Sequence, residues 1–275
     1  MTAWAGLALA LRHPDEDAMN SRMPTYVHPL AGRPLAWHAL RALASLDPLP
    51  RDLILLAAAP LSEAVIRDLP ARIVETTPEE WWLAADRSLN RSIERVLIVD
   101  AAAPTLGPAL RALVASPEDA AVVGSAGPLA GWFGRDRLAD RAAGGLDGIV
   151  RDVVNITPAP EEDCLVRDRA ALARAAAIVR DRLVRELMAA GATFLLPETV
   201  HVDVDVRVGP DTVIYPGVVL EGNTTIGAET VIGPGCRVID SWIGSGVELK
   251  GWNYVVGTTI RNRAVLEPYV RRGFD

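Results

Sequence analysis

Two different periods of apolar residues divide the chain. Up to about residue 125, short continuous apolar runs alternate with stretches that follow a helical period. The runs predict strands over 6–11, 53–58, 72–75, 96–100 and 121–124, and the stretches between them predict helices over 35–46, 62–68, 79–89 and 108–115. Uninterrupted apolar runs suit strands covered on both faces, so the pattern predicts a mainly parallel sheet layered with helices, an α/β arrangement. A long amphipathic helix is expected next. Asp168 stands where an N-cap belongs, Leu172, Ala176, Val179, Leu183 and Leu187 form the expected apolar stripe, and Gly191 stops it.

Beyond this helix the period becomes six. Aliphatic residues recur at Leu196, Val202, Val208, Ile214, Leu220, Ile226, Ile232 and Val238, then at Ile243, Leu249, Val255, Ile260 and Leu266, with two steps of five. Four residues after most of these rungs stands a small or β-branched residue: Val200, Val206, Thr212, Val218, Thr224, Thr230 and Cys236. One short strand and one inward aliphatic per six residues describe a triangular coil of about 18 residues, stacked so that the coils share one narrow core. The expected organisation is therefore a sheet domain over 1–167, a connecting helix over 168–195 and a β-helix over 196–275.

Composition narrows the function. The net charge is −7 and Lys250 is the only lysine, which disfavours a general nucleic-acid binder, because phosphate attraction needs a basic face. The two cysteines, Cys164 and Cys236, lie far apart and read as small buried side chains rather than a disulfide framework or a metal site. The apolar stretch 4–11 lacks a basic region before it and reads as a first strand, not a signal peptide. No run is long enough to span a bilayer. A cytoplasmic location with no membrane partner is expected.

Several segments resemble one family. Val208-Gly-Pro-Asp-Thr-Val-Ile-Tyr-Pro-Gly217 followed by Leu220-Glu-Gly222, the helix running into Leu187-Met-Ala-Ala-Gly191, and Met19-Asn-Ser-Arg-Met-Pro24 with His28-Pro-Leu-Ala-Gly-Arg-Pro34 are similar to the bacterial bifunctional N-acetylglucosamine-1-phosphate uridylyltransferase/glucosamine-1-phosphate acetyltransferases. The resemblance implies a truncated nucleotidyltransferase-like (Rossmann-like) domain followed by a left-handed parallel β-helix of hexapeptide repeats, associating as a homotrimer. The left hand comes from the family and not from the periodicity. Tyr215, Trp242, Trp252 and Tyr254 are the large side chains expected to be available for such contacts.

The resemblance weakens at the chemistry. The family's glycine-rich phosphate loop uses backbone N–H groups and an arginine to hold a triphosphate. Here the corresponding run is Arg12-His-Pro-Asp-Glu-Asp-Ala18: Pro14 and Glu16 stand for glycines, Ala18 for the arginine, and Asp15, Glu16 and Asp17 put three carboxylates where phosphates should sit. Thr25 stands for the family's lysine. Asp100, closing the strand 96–100, matches a magnesium-binding aspartate. It is the one candidate metal residue, with a turn-capping aspartate as the alternative reading. Asn155 is a weak counterpart of a substrate-binding asparagine, and Arg167 takes the place of a late asparagine. The span from Asp100 to Arg167 is short, so much of the sugar-binding lobe is expected to be missing.

The second activity is reduced as well. Val265-Leu-Glu-Pro-Tyr-Val-Arg-Arg-Gly273 resembles the family's first sugar-binding arginine segment, with Arg272 in rung register. His201 reads as a solvated corner residue, not a base. His28 and His38 read as structural, and Trp81-Trp82 as core or interface. No catalytic residue is assigned and no cofactor is expected, magnesium entering only if the protein is active. The expected function is a catalytically degenerate homologue of a UDP-N-acetylglucosamine pyrophosphorylase, a structural or regulatory oligomer beside a possible functional paralogue. The alternatives are an active nucleotidyltransferase using Asp100 with magnesium and, less favoured, a hexapeptide acyltransferase.

Overall fold

The computed structural model describes residues 3–11, 18–140 and 145–273. The chain forms two compact units, Met1–Leu30 with Pro34–Ala175 and Ala31–Arg33 with Ala176–Asp275.

The first unit is built on a seven-stranded sheet. Its strands are β1 (Trp4–Ala10), β2 (Asp52–Ala57), β3 (Arg72–Glu75), β4 (Arg95–Asp100), β5 (Ala120–Gly124), β6 (Gly127–Gly134) and β7 (Val154–Ile156). They lie in the order β3-β2-β1-β4-β6-β5-β7. The first four run parallel, β6 is antiparallel to both its neighbours, and β7 runs parallel to β5. Every residue of β1 is buried, as its unbroken apolar run predicts. All five expected strands form.

Two strands lie outside those expected. In β6 the glycines hide the strand. Gly131 leaves room for Phe133, whose ring would stand 2.2 Å from any Cβ there. The other, β7, is a mostly exposed edge strand and carries no apolar pattern.

Helices α1 (Leu35–Ala44), α2 (Trp81–Ser88) and α3 (Pro108–Val114) cover the sheet where helices are expected. The segment expected as a helix over 62–68 is only a 3-10 turn, Glu63–Ile66, capped by the Ser62 hydroxyl accepting from the Ala64 N–H at 3.2 Å. Trp81 is fully buried in the core, and Trp82 packs beside it.

Helix α4 (Arg169–Ala189) begins as expected, with Asp168 Oδ1 accepting the Ala171 N–H at 2.6 Å. It ends at Gly191, whose φ of 105° suits a residue without a side chain. Its buried stripe differs from the expected one. Ala171, Ala175, Val179 and Val184 are buried, Leu172, Leu183 and Leu187 are half-buried, and Ala176 is exposed.

The second unit carries three parallel sheets of stacked two- and three-residue strands, one per side of a left-handed parallel β-helix. On one side Val213 pairs with Val231 and Val231 with Glu248; on the next Val219 pairs with Arg237 and Arg237 with Tyr254; on the third Thr225 pairs with Trp242 and Trp242 with Thr259. The rungs from Val202 to Leu266 are buried, as the period of six predicts. The short steps, Val238 to Ile243 and Val255 to Ile260, fall at the same corner of successive coils, so shortening the coil leaves the other two sides in register.

The first expected rung is wrong. Leu196 is 55% exposed with φ 59°, while Phe194, 7% exposed, pairs with Ile214 and fills the core. The first coil is longer than those that follow, and the extra length is taken up in the turn Pro197–Thr199. At the other end Arg272 pairs with Val255 in rung register but is exposed.

Polar residues in this core are satisfied by the coils themselves. The hydroxyls of Thr212, Thr224 and Thr230 donate to the carbonyls of Gly227, Glu221 and Gly244 at 2.8, 2.7 and 3.0 Å. Cys236 lies against Asn253 Oδ1 at 3.5 Å, and both cysteines are free and buried, with burial pushing each thiol upward.

Candidate functional site

The sheet order reverses between β1 and β4. From β1 the chain builds outward through β2 and β3, then returns to the other side of β1 with β4. Beyond the carboxyl ends of two such strands the connecting loops separate and leave a crevice, the usual ligand site of an open α/β sheet. Asp100 closes β4 opposite Leu9 of β1, so it stands at this point. The acidic loop residues Pro14, Asp15, Glu16 and Asp17, with Arg12 and His13, lie outside the described residues.

The Asp100 carboxylate is engaged in its own turn. Its Oδ1 accepts the Ala102 N–H at 2.9 Å, and its carbonyl accepts the Ala103 N–H at 2.9 Å. This is the turn-capping arrangement named as the alternative reading, and a carboxylate oxygen that accepts one N–H keeps a further lone pair. Among the described residues no group of three His, Cys, Asp or Glu side chains is placed to hold a metal ion.

A second wall comes from the segment before α4. The Val166 N–H donates to the Ala102 carbonyl at 2.8 Å, Asp168 pairs with Ala18 in a parallel bridge, and Arg169 Nε donates to the Met19 carbonyl at 3.1 Å. Arg167 is therefore fixed between the Asp100 turn and the end of the phosphate-loop segment. Its side chain is half-buried and its Nε is buried with no acceptor. A third wall is the β5–β6 hairpin, tied down where Asp163 Oδ1 accepts the Ser125 N–H at 2.9 Å.

Glu162, 2% exposed, was not singled out by its sequence context. Its Oε1 accepts the N–H groups of Gly107 and Ala109 at 2.7 and 2.9 Å and so caps α3 from a distant segment. Nothing local in the sequence marks that pairing.

Other candidates lie apart. Asn155 is exposed on β7, three strands from β4, or about 14 Å at roughly 4.8 Å per strand. Thr25 is buried in a short 3-10 turn. His28 is buried with Nε2 unpartnered, and burial together with the Arg169 charge lowers its pKa. His38 meets the Leu30 carbonyl at 2.7 Å, a structural role.

His201 lies in the second unit and begins a strand rather than occupying a corner. Its Nε2 meets Asp203 Oδ1 at 3.2 Å, and that hydrogen bond, against partial burial, raises its pKa. The histidine is exposed, as expected of a solvated residue, and it is also tied to a buried carboxylate. The four aromatics expected to face a neighbour also differ among themselves. Tyr215, Trp242 and Trp252 are 36%, 45% and 56% exposed, but Tyr254 is half-buried between the Arg237 and Arg271 guanidinium groups, 5.7 and 5.6 Å from its ring centre.

Comparison with known proteins bears on both units. Residues 205–240 match the bacterial transferase hexapeptide (six repeats) family. The bifunctional protein GlmU of Geobacillus sp. (strain WCH70) is 45% identical over 93 residues, which cover 34% of this chain and 20% of that protein. The bifunctional protein GlmU of Thermoanaerobacter pseudethanolicus (strain ATCC 33223 / 39E) is 34% identical over 125 residues, 44% of this chain and 27% of that protein. The chain thus spans only about a fifth to a quarter of these curated relatives.

Among solved structures, a nucleotidyl transferase from Methanothermobacter thermautotroptrophicus (Mth528) superposes with a TM-score of 0.52 at 16% identity, covering 68% of this chain and 100% of that one. Rv0371c from Mycobacterium tuberculosis H37Rv does so with a TM-score of 0.50 at 17% identity, covering 64% and 98%. At such identities the likeness shows the fold alone. The chain is similar to the bifunctional GlmU proteins and has a nucleotidyltransferase-like fold followed by a hexapeptide β-helix. No helix among the described residues is long and apolar enough to cross a membrane.

Proposed function

We propose, starting from that nucleotidyltransferase-like fold, that this chain no longer transfers nucleotides and acts as a structural or regulatory homotrimer in the cytoplasm, beside a functional paralogue. The observation that carries the reading is the crevice itself: its one assigned metal carboxylate, Asp100, already accepts the Ala102 N–H. The sequence adds to it. Pro14 has no N–H to offer a phosphate, Asp15, Glu16 and Asp17 repel one, and Ala18 and Thr25 stand where the resemblance puts cations. Each lost hydrogen bond to a charged group forfeits roughly 1.5–3 kcal/mol, so two of them rival much of the ~7 kcal/mol that a ~10 μM affinity represents. Val213, Val231 and Val265, which share one outward ladder with Glu248, and the exposed Tyr215 and Trp252 support association through the β-helix.

Calorimetry with UTP and magnesium, paired with pyrophosphate release in the presence of N-acetylglucosamine 1-phosphate, tests the loss of activity. The expected result is no saturable heat and no pyrophosphate. Binding tighter than about 100 μM that disappears in Asp100→Asn, with pyrophosphate release, would replace this reading with an active nucleotidyltransferase. Sedimentation at micromolar concentration tests the assembly, and a monodisperse monomer refutes it.

A further inference from the structure

We propose that a second copy of this chain docks at one corner of the β-helix, about a two-fold axis, with Trp252 and Tyr269 as the anchors. The corner follows the strands that hold the rungs Ile214, Ile232, Leu249 and Leu266. Three residues after each rung the backbone takes a positive φ: 69° at Gly217, 64° at Gly235, 47° at Trp252 and 66° at Tyr269. Glycine adopts that conformation freely, whereas a bulky aromatic does so against strain. Two coils therefore carry a strained aromatic where the two before them carry glycine. At the other corners the described non-glycine residues with positive φ are Asp211, Glu229, Asp240 and Arg263, all polar. Large apolar side chains hold this strain only here, Leu196 in the longer first turn of the same corner included.

The strain does not serve the core. Trp252 is 56% exposed and Tyr269 72%. The indole lies over Gly235, with Nε1 and Cδ1 2.8 and 2.9 Å from where a Cβ would stand, so a side chain there would displace it. It also stacks on Tyr269, with ring centroids 5.9 Å apart and planes 19° apart. The two rings brace each other as one ridge. Strain kept at an exposed position points to function, and braced Trp and Tyr side chains are the usual anchors of protein interfaces. At the ~200 Å² that a buried aromatic removes from water, the pair offers about 250 Å² per copy. That is roughly a third of the ~800 Å² that each partner of a stable complex contributes. Val265, 55% exposed on the Tyr269 coil, extends it.

Charge selects the occupant. Lys250 and Glu267 stand two residues before the two rings, one on each coil, and pair at 2.7 Å. A two-fold axis between these coils exchanges their levels. Trp252 then meets Tyr269 of the second copy, and Lys250 meets Glu267 of the second copy. Glu248, which pairs in register with Val265, meets a valine rather than another carboxylate. The corner is thus complementary to itself in shape and in charge, as an isologous contact requires. This contact is separate from the three-fold association proposed above, and the two together give six copies.

Sedimentation velocity of the full chain over a concentration series tests it. Wild-type protein is expected to reach six copies in exchange with three. Trp252→Gly and Tyr269→Gly should each weaken that exchange at least about tenfold, the loss of an interface anchor. Lys250→Glu and Glu267→Lys should each do the same by setting like charges across the axis, and an equimolar mixture of the two should restore six copies. At a dilution where the six copies have parted, the glycine variants should melt no lower than wild type, since the preceding coils carry glycine at that position.

A wild type that stops at three copies, or glycine variants that assemble as wild type does, would overturn the two-fold contact and leave the three-fold association standing. A wild type that forms two copies, reduced to one by Trp252→Gly, supports the contact and refutes the three-fold association. Glycine variants that melt well below the dissociated wild type would show that the rings serve the fold, and that overturns the proposal. Should those variants not fold, the charge variants decide: Lys250→Glu and Glu267→Lys assembling as wild type, or a mixture no better than either alone, overturns it.

Discussion

Replacing Ile226 with aspartate tests the stacked core where it is narrowest. Ile226 is 1% exposed and pairs with Val208 on one side and Ile243 on the other, while Leu220 and Ile232 complete its coil. Each coil therefore offers one aliphatic rung per side and no spare volume. The nearby buried hydroxyls cannot rescue a carboxylate, since Thr224 and Thr230 already donate to backbone carbonyls at 2.7 and 3.0 Å. Losing the isoleucine side chain from the core costs about 1.5–3 kcal/mol, and an unpaired buried charge adds about 3 or more. A total near 5 kcal/mol is a large share of the stability of an ordinary domain. The neighbouring outward position supplies the control. Thr225→Asp should change stability by less than about 0.5 kcal/mol, as surface substitutions do. Calorimetric melting with hydrogen exchange read coil by coil measures both. Ile226→Asp should lower or abolish the transition of the second unit and leave the first unit's strands protected. If Ile226→Asp melts at the wild-type temperature, or if Thr225→Asp is the damaging change, the inward register assigned to the coils is wrong.

Three further outcomes follow from particular contacts. Phe194→Ala should destabilise the second unit by about 3–5 kcal/mol while Leu196→Ala is nearly silent, and equal effects in denaturant melts would restore Leu196 as a rung. The two shifted histidines act in opposite directions. His201, raised above its ordinary 6.5 by Asp203, adds stability to the second unit that is full below that value and lost as pH climbs past its folded pKa. His28, lowered by burial, makes the first unit lose stability as pH falls below 6.5. Melting from pH 5 to 9 with His201→Gln and His28→Gln checks both signs, and each variant should flatten only its own unit's slope. Glu162→Ala leaves the Gly107 and Ala109 N–H groups without their acceptor and should cost about 2–4 kcal/mol. A change under about 0.5 kcal/mol in urea melts would mean that another group takes over the cap.

The β-helix is legible because its period is its structure: each rung both recurs and faces inward, so the sequence shows the core directly from Val202 to Leu266. The parallel strands are legible for a related reason, since burial on both faces leaves an unbroken apolar run. Where that link fails, so does the reading. β7 is exposed and β6 is glycine-rich, so neither has a pattern to read. The buried stripe of α4 runs through Ala171, Ala175, Val179 and Val184 rather than the expected leucines, and Phe194 replaces Leu196 because the first coil is longer. In the crevice, Asp100 could be placed at a strand end from sequence. Its bond to Ala102, the cap from Glu162 and the stranded Nε of Arg167 depend on segments far apart in the chain, and no local pattern records them.

The recurring short corner also says where this protein tolerates change. Between Leu220 and Ile226 the chain takes one more residue than between Val238 and Ile243 or Val255 and Ile260, yet all three turns stack. The longer turn is simply held from the next coil, where Asp240 Oδ1 accepts the Asn223 N–H at 2.9 Å. The length of that edge is thus uncoupled from the register of the rungs. A peptide grafted after Asn223 could leave the spine of the helix intact, whereas the same insertion within a rung strand would throw every later aliphatic out of phase. In a molecule built by repetition, this edge already accepts a change of length from coil to coil.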